Sequence, residues 1–141
     1  MNSKRVLSLS LIFIAWIQTG CTGGEQSGSQ AKSQQAGNFF LSVNTNPMPP
    51  EVGSSAEVIA TVKQDGQPAK NCRVRFRQYM PGMEMSSDKT YFDMVQDGST
   101  GVYRARGGEF SMGGEWVVEL AFDCNGKSQA VKFPYHLEWP Q

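Results

Sequence analysis

The chain has 141 residues, 13 of them basic and 13 acidic, so its formal net charge is zero and only 18% of its residues are charged. A nucleic-acid surface needs a basic stripe or patch, and nothing in this composition supplies one. The length suits one domain of ordinary size and is too short for two comfortable ones.

The first element is not part of a fold. Lys4 and Arg5 precede an apolar run from Val6 to Ile17, interrupted only by Ser8 and Ser10, which ends at Gln18-Thr19-Gly20-Cys21. A basic start, about a dozen apolar residues and a small-residue exit form the layout of a secretion signal. The run falls short of the ~20 residues that span a bilayer. Thr19-Gly20-Cys21 resembles the lipobox of bacterial lipoproteins, which implies removal of residues 1–20 and lipidation of Cys21. Gln18 stands where that pattern usually has Leu, so ordinary signal-peptidase cleavage stays open as the alternative. Thr22, rather than Asp, after the cysteine resembles the outer-membrane sorting default of Gram-negative hosts. The expected location is the cell envelope, on a membrane and facing the periplasm or exterior.

Removing 20 residues from 141 leaves 121; Lys4 and Arg5 go with them, so 11 basic residues face 13 acidic ones, a net charge of −2. With Cys21 assigned to lipid, Cys72 and Cys124 remain as a pair in an oxidising compartment. From Thr22 to Gly37 the chain carries Gly, Ser, Gln, Thr, Ala, Lys and Glu, with no aromatic or β-branched aliphatic residue. Such a segment cannot bury enough apolar surface to offset its ordering entropy. Residues 21–37 are therefore expected to be the lipidated cysteine and a flexible tether with a root-mean-square reach of roughly 20–25 Å, and residues 38–141 the domain.

Within the domain, short alternating runs are separated by turn signals. They cover Phe39–Thr45, Ala56–Gln64, Cys72–Tyr79, Thr90–Val95, Val102–Arg106, Glu115–Asp123 and Ser128–Glu138. About seven short strands of this kind predict an all-β, antiparallel immunoglobulin-like sandwich. Asp65-Gly66, Asp97-Gly98 and Asn125-Gly126 supply turns, the last with the residues of a type I′ hairpin. The cluster Pro47, Pro49 and Pro50 reads as a loop crossing between sheets. Alternation places Cys72, Val74 and Phe76 on the core face and Arg73, Arg75 and Arg77 on the wet one. It likewise turns Trp116, Val118, Leu120, Phe122 and Cys124 inward and Glu115, Glu119 and Asp123 outward. Both cysteines thus point into the core, as a Cys72–Cys124 disulfide requires, and no CxxC spacing argues for redox work.

The segment that carries chemistry is Tyr79-Met80-Pro81-Gly82-Met83-Glu84-Met85-Ser86-Ser87-Asp88. Pro81 and Gly82 suit the two central positions of a type II turn, which brings Met80 and Met83 together. Met85 lies on the side of Met83 if the chain is extended there. Met112, inside the glycine-flanked stretch from Gly107 to Gly114, is a fourth candidate. Thioether sulfur is neutral and soft, so it suits Cu(I) over harder ions. The plain alternative is that these methionines fill irregular gaps at the end of a sandwich.

The stretch Met80-Pro-Gly-Met-Glu-Met, then Gly101-Val-Tyr-Arg-Ala ahead of Phe110-Ser-Met-Gly-Gly-Glu-Trp-Val-Val-Glu-Leu, resembles the YtkA-like domain, also grouped with FixH-like proteins, over residues 38–137. The resemblance implies an immunoglobulin-like sandwich in exported or membrane-anchored bacterial proteins, often linked to copper handling and to copper supply for haem-copper oxidases. It makes Met80, Met83, Met85 and Met112 the candidate ligands, Cu(I) the cargo, and a copper-receiving oxidase or efflux protein the partner. Related copper chaperones often mix histidine with methionine. Here the only histidine, His136, falls on the outer face of the last run and is expected to be exposed and unpaired, with a contribution to the site left open if the last strand ends beside the methionine loop.

Glu84, Asp88 and Asp93 flank the loop, but no paired base and nucleophile accompanies them, and an enzyme is not expected. Two functional readings stand: a membrane-tethered Cu(I)-binding module, and a non-catalytic interaction or scaffolding domain whose methionines only pack.

Overall fold

Alternating sequence becomes alternating burial. The computed structural model describes residues 31–83 and 90–140, so the signal segment, Cys21 and Met85 lie outside the described residues. One sheet runs in the order β1 (Lys32–Ala36), β2 (Phe39–Asn46), β3 (Ser55–Gln64), β8 (Val102–Glu109), β7 (Val95–Gln96), with β4 (Gln67–Pro68) also paired to β3. The second sheet runs β10 (Lys127–Leu137), β9 (Gly114–Cys124), β5 (Cys72–Tyr79), β6 (Phe92–Asp93). Every pairing is antiparallel. The protein is an all-β immunoglobulin-like sandwich, and no helix among the described residues is long and apolar enough to cross a membrane.

The core lies between the sheets. Phe39, Leu41 and Val43 of β2 and Val58, Ala60 and Val62 of β3 face Val74 and Phe76 of β5 and Trp116, Val118, Leu120 and Phe122 of β9, all buried. Phe39 meets Phe122 edge-on across the sandwich, ring centroids 5.1 Å apart. In β10, Val131, Phe133, Tyr135 and Leu137 are buried while Lys132, Pro134 and His136 point outward. Pro134 cannot donate to a ladder, and it is tolerated because β10 is the edge strand of its sheet.

The Cys72–Cys124 disulfide is present, and the two residues are direct partners in the β5–β9 ladder, so it joins neighbours within one sheet. At the adjoining hairpin Asn125 and Gly126 both take positive φ, 54° and 76°, as a type I′ turn requires. That turn, the Asp65-Gly66 turn and the disulfide mark one end of the sandwich. The other end holds the close of β5, the start of β9 and the close of β10.

Four sequence expectations change. Lys32–Ala36, assigned to the tether, is instead strand β1, paired to β2 from Lys32↔Val43 to Ala36↔Phe39. The sandwich therefore takes in Lys32–Ala36, and with two-residue β4 and the division of Thr90–Val95 into β6 and β7 the described strands number ten, not about seven. The proline loop joins β2 to β3, neighbours in the same sheet, so it does not cross between sheets. Strand β8 does not stop at Arg106. The register shifts opposite Ala56/Glu57, and Gly107, at φ 110°, is the extra residue of a bulge that lets the strand continue to Glu109. Glu119, expected on the wet face, is 3% exposed.

Candidate methionine site

Strand β5 delivers Met80 to the end of the sandwich opposite the disulfide. The N–H of Met83 donates to the carbonyl of Met80 at 3.1 Å across Pro81 and Gly82, and Gly82 has φ 84°. This is the expected type II turn, with Pro fixing the first central φ and Gly accepting the positive second. The two methionines of the turn differ in setting: Met80 is 8% exposed and belongs to the core, whereas Met83 is 45% exposed.

The second glycine-rich loop meets the first here. A β-carbon on Gly114 would stand 2.9 Å from the Met80 methyl, so this methionine packs directly on the Gly114 backbone. A β-carbon on Gly113 would stand 2.8 Å from Cδ1 of Trp139, whose indole covers that residue from the chain's far end. Met112 packs partly buried against the core, and its carbonyl accepts the Trp116 indole N–H at 2.9 Å. Phe110 and Trp116 stack edge-on behind it at 5.3 Å. Met80, Met83 and Met112 thus belong to one end of the molecule, while Met85 lies outside the described residues. Met48, in the proline loop after β2, was not among the candidates. Its sulfur accepts the Thr45 hydroxyl at 3.4 Å.

Both feet of the methionine loop are clamped to Glu119. The Tyr79 hydroxyl, just before Met80, donates to Oε2 at 3.4 Å, and the Tyr91 hydroxyl, where the described chain resumes, donates to Oε1. The Arg77 guanidinium also donates to Oε2 at 3.1 Å and lies 5.0 Å from the Tyr79 ring and 4.9 Å from the Tyr91 ring. Burial pushes the Glu119 carboxyl up, but the Tyr91 hydroxyl and the Arg77 guanidinium outweigh it and hold the group below its ordinary value. Burial, then the bond to Glu119, raises the Tyr91 phenol. Sequence alternation missed this cluster because Arg77 and Tyr79 of β5, together with Tyr91, close over Glu119 on the outer face of β9. The available signal was two tyrosines bracketing the methionines.

His136 is exposed as expected but not unpaired. Its Nδ1 contacts Glu115 and its Nε2 lies 3.1 Å from Glu138. The Glu115 hydrogen bond and charge raise its pKa above the ordinary imidazole value. Both ring nitrogens are engaged with carboxylates on the outer face of β10. Asp93 pairs with Arg73 at 3.1 Å in a solvent-exposed bridge, and Glu84 and Asp88 lie outside the described residues. Among the described residues no three His, Cys, Asp or Glu side chains gather as they would to hold a metal ion.

A protein-family model for YtkA-like domains matches residues 32–121, beginning at the first residue of β1. No curated protein sequence matches the chain. Among solved structures, a Br derivative of BhCBM56 is 10% identical with a TM-score of 0.43, covering 74% of this chain and 97% of its own. The GAE domain of GGA2p from Saccharomyces cerevisiae is 10% identical with a TM-score of 0.38, covering 77% and 97%. Likeness at that level says nothing of function.

Proposed function

The chain belongs to the YtkA-like family, and from that premise we propose that it is a non-catalytic, lipid-tethered Cu(I)-binding module of the cell envelope that holds copper through thioethers and hands it on. The observation that supports this most is the meeting of two loops: the Met80-Pro81-Gly82-Met83 turn is closed by a backbone hydrogen bond, and Met80 packs on Gly114 beside Met112. Met83 is exposed and accessible to an incoming ion. Neutral sulfur donors leave the charge of the ion uncompensated, which favours Cu(I) over Zn(II), an ion of thiolate, imidazole and carboxylate sites.

The burial of Met80 favours a second reading, an interaction domain in which these methionines only pack. Replacing Met80 and Met83 together with Leu separates the two. Such swaps keep apolar bulk and usually cost under ~1.5 kcal/mol. The copper reading expects a folded double variant that loses Cu(I) to a competing chelator at least about tenfold more readily than the parent. Equal retention of copper would leave packing as the role of these side chains.

A further inference from the structure

Strand β1 decides which end of the sandwich faces the anchor. The direction of β1 is opposite to that of β2, so the chain enters the sheet at Lys32 from the methionine side and runs toward the disulfide end. The Lys32 ammonium lies 5.0 Å above the Tyr135 ring. Tyr135 pairs with Trp116, and the next residue of β9, Val117, pairs with Tyr79, which precedes Met80. Lys32 and Met80 therefore sit at the same height along the sandwich. A second contact, Gln34 Nε2 to the Lys132 carbonyl at 2.5 Å, holds β1 along the edge of β10 in this direction.

A sandwich entered at Asn38 would have the reverse polarity. Asn38 sits beside Asp65 at the far end, its side-chain amide 3.0 Å from that carboxylate, and a tether entering there would direct the methionines away from the membrane. Ten residues separate Cys21 from Lys32, and ten residues reach at most about 33–36 Å when fully extended. Strand β9 alone, with 11 residues, is about 35 Å long. The disulfide end could reach the bilayer only with the spacer stretched along the whole domain.

We infer that the methionine end is the membrane-proximal end of the anchored protein, which makes its copper partner one whose metal site lies at the bilayer surface. The inference rests on the proposed lipid anchor at Cys21. Its test uses the full processed chain on lipid nanodiscs containing a lipid with a nitroxide on its headgroup, read by amide NMR line broadening. The amides of Gly82, Gly113 and Gly114 should broaden while those of Gly66 and Gly126 stay sharp. Greater or equal broadening at Gly66 and Gly126 would overturn the orientation. Inserting twenty Gly/Ser residues between 31 and 32 should erase the difference between the ends, and its persistence would overturn the short leash. Intact mass and nanodisc retention separate the remaining case: a chain without added acyl mass removes the anchor, and with it this inference, while the chelator competition judges copper binding on its own.

Discussion

Three side chains give the account its residue-scale tests. Glu119 has a lowered pKa in the folded state, so its contribution to stability is present above the unfolded carboxylate value near ~4.3 and is lost as pH falls through the lower folded value. Glu119→Gln should flatten the acid limb of a denaturation series. Glu119→Ala removes the carboxylate shared by the Arg77 guanidinium and two tyrosine hydroxyls and should cost roughly 2 kcal/mol or more in urea unfolding; a cost near zero would mean the clamp is not structural. His136 has the opposite sign: its bond to Glu115 raises its pKa, so the pairing stabilises below the unfolded value near ~6.5 and is lost as pH rises through the folded one. An NMR titration should find its midpoint above ~6.5, and Glu115→Gln should lower it. The Tyr135 hydroxyl is buried and has no hydrogen-bond partner among the described residues. Because an unsatisfied buried hydroxyl costs about 1–3 kcal/mol, Tyr135→Phe should leave stability unchanged or raise it; a loss above ~1 kcal/mol in the same unfolding assay would count against an orphaned hydroxyl.

At the scale of elements, the strands legible in the sequence are those with one buried face. Period-two alternation located β2, β3, β5, β9 and β10 and the inward phase of Cys72 and Cys124, because burial of one face fixes that period. Strand β1 was illegible for the converse reason. Lys-Ser-Gln-Gln-Ala has no apolar face, and the strand is held at the sheet edge by its backbone ladder with its three central side chains exposed. The two-residue strands carry no period at all. A chain starting at residue 38 should consequently be less stable than one starting at residue 31, because it uncovers β2 along five paired positions; equal urea midpoints would show that β1 adds nothing. The disulfide closes a separation of 52 residues, and replacing Cys72 and Cys124 together with Ser should cost roughly 4 kcal/mol in the chain-entropy account.

For the whole molecule, the sequence disclosed the site in part. Turn chemistry pairs Met80 with Met83 locally, and that much could be read from Pro81-Gly82. The approach of Met80 to Gly114, the cover that Trp139 places over Gly113 and the clamping of both loop feet on Glu119 are contacts between distant segments. No local pattern encodes them. They require the sandwich to bring the end of β5, the start of β9 and the end of β10 to one place. The same topology sets the Met80–Met83 turn at one end of the sandwich, opposite the disulfide. The central claim, Cu(I) held by thioethers at that end, is tested most directly by copper K-edge X-ray absorption on the protein loaded with one equivalent of Cu(I). The account predicts a low-coordinate site whose first shell is sulfur, lost when Met80 and Met83 are Leu. A first shell of nitrogen and oxygen, unchanged in that variant, would contradict it.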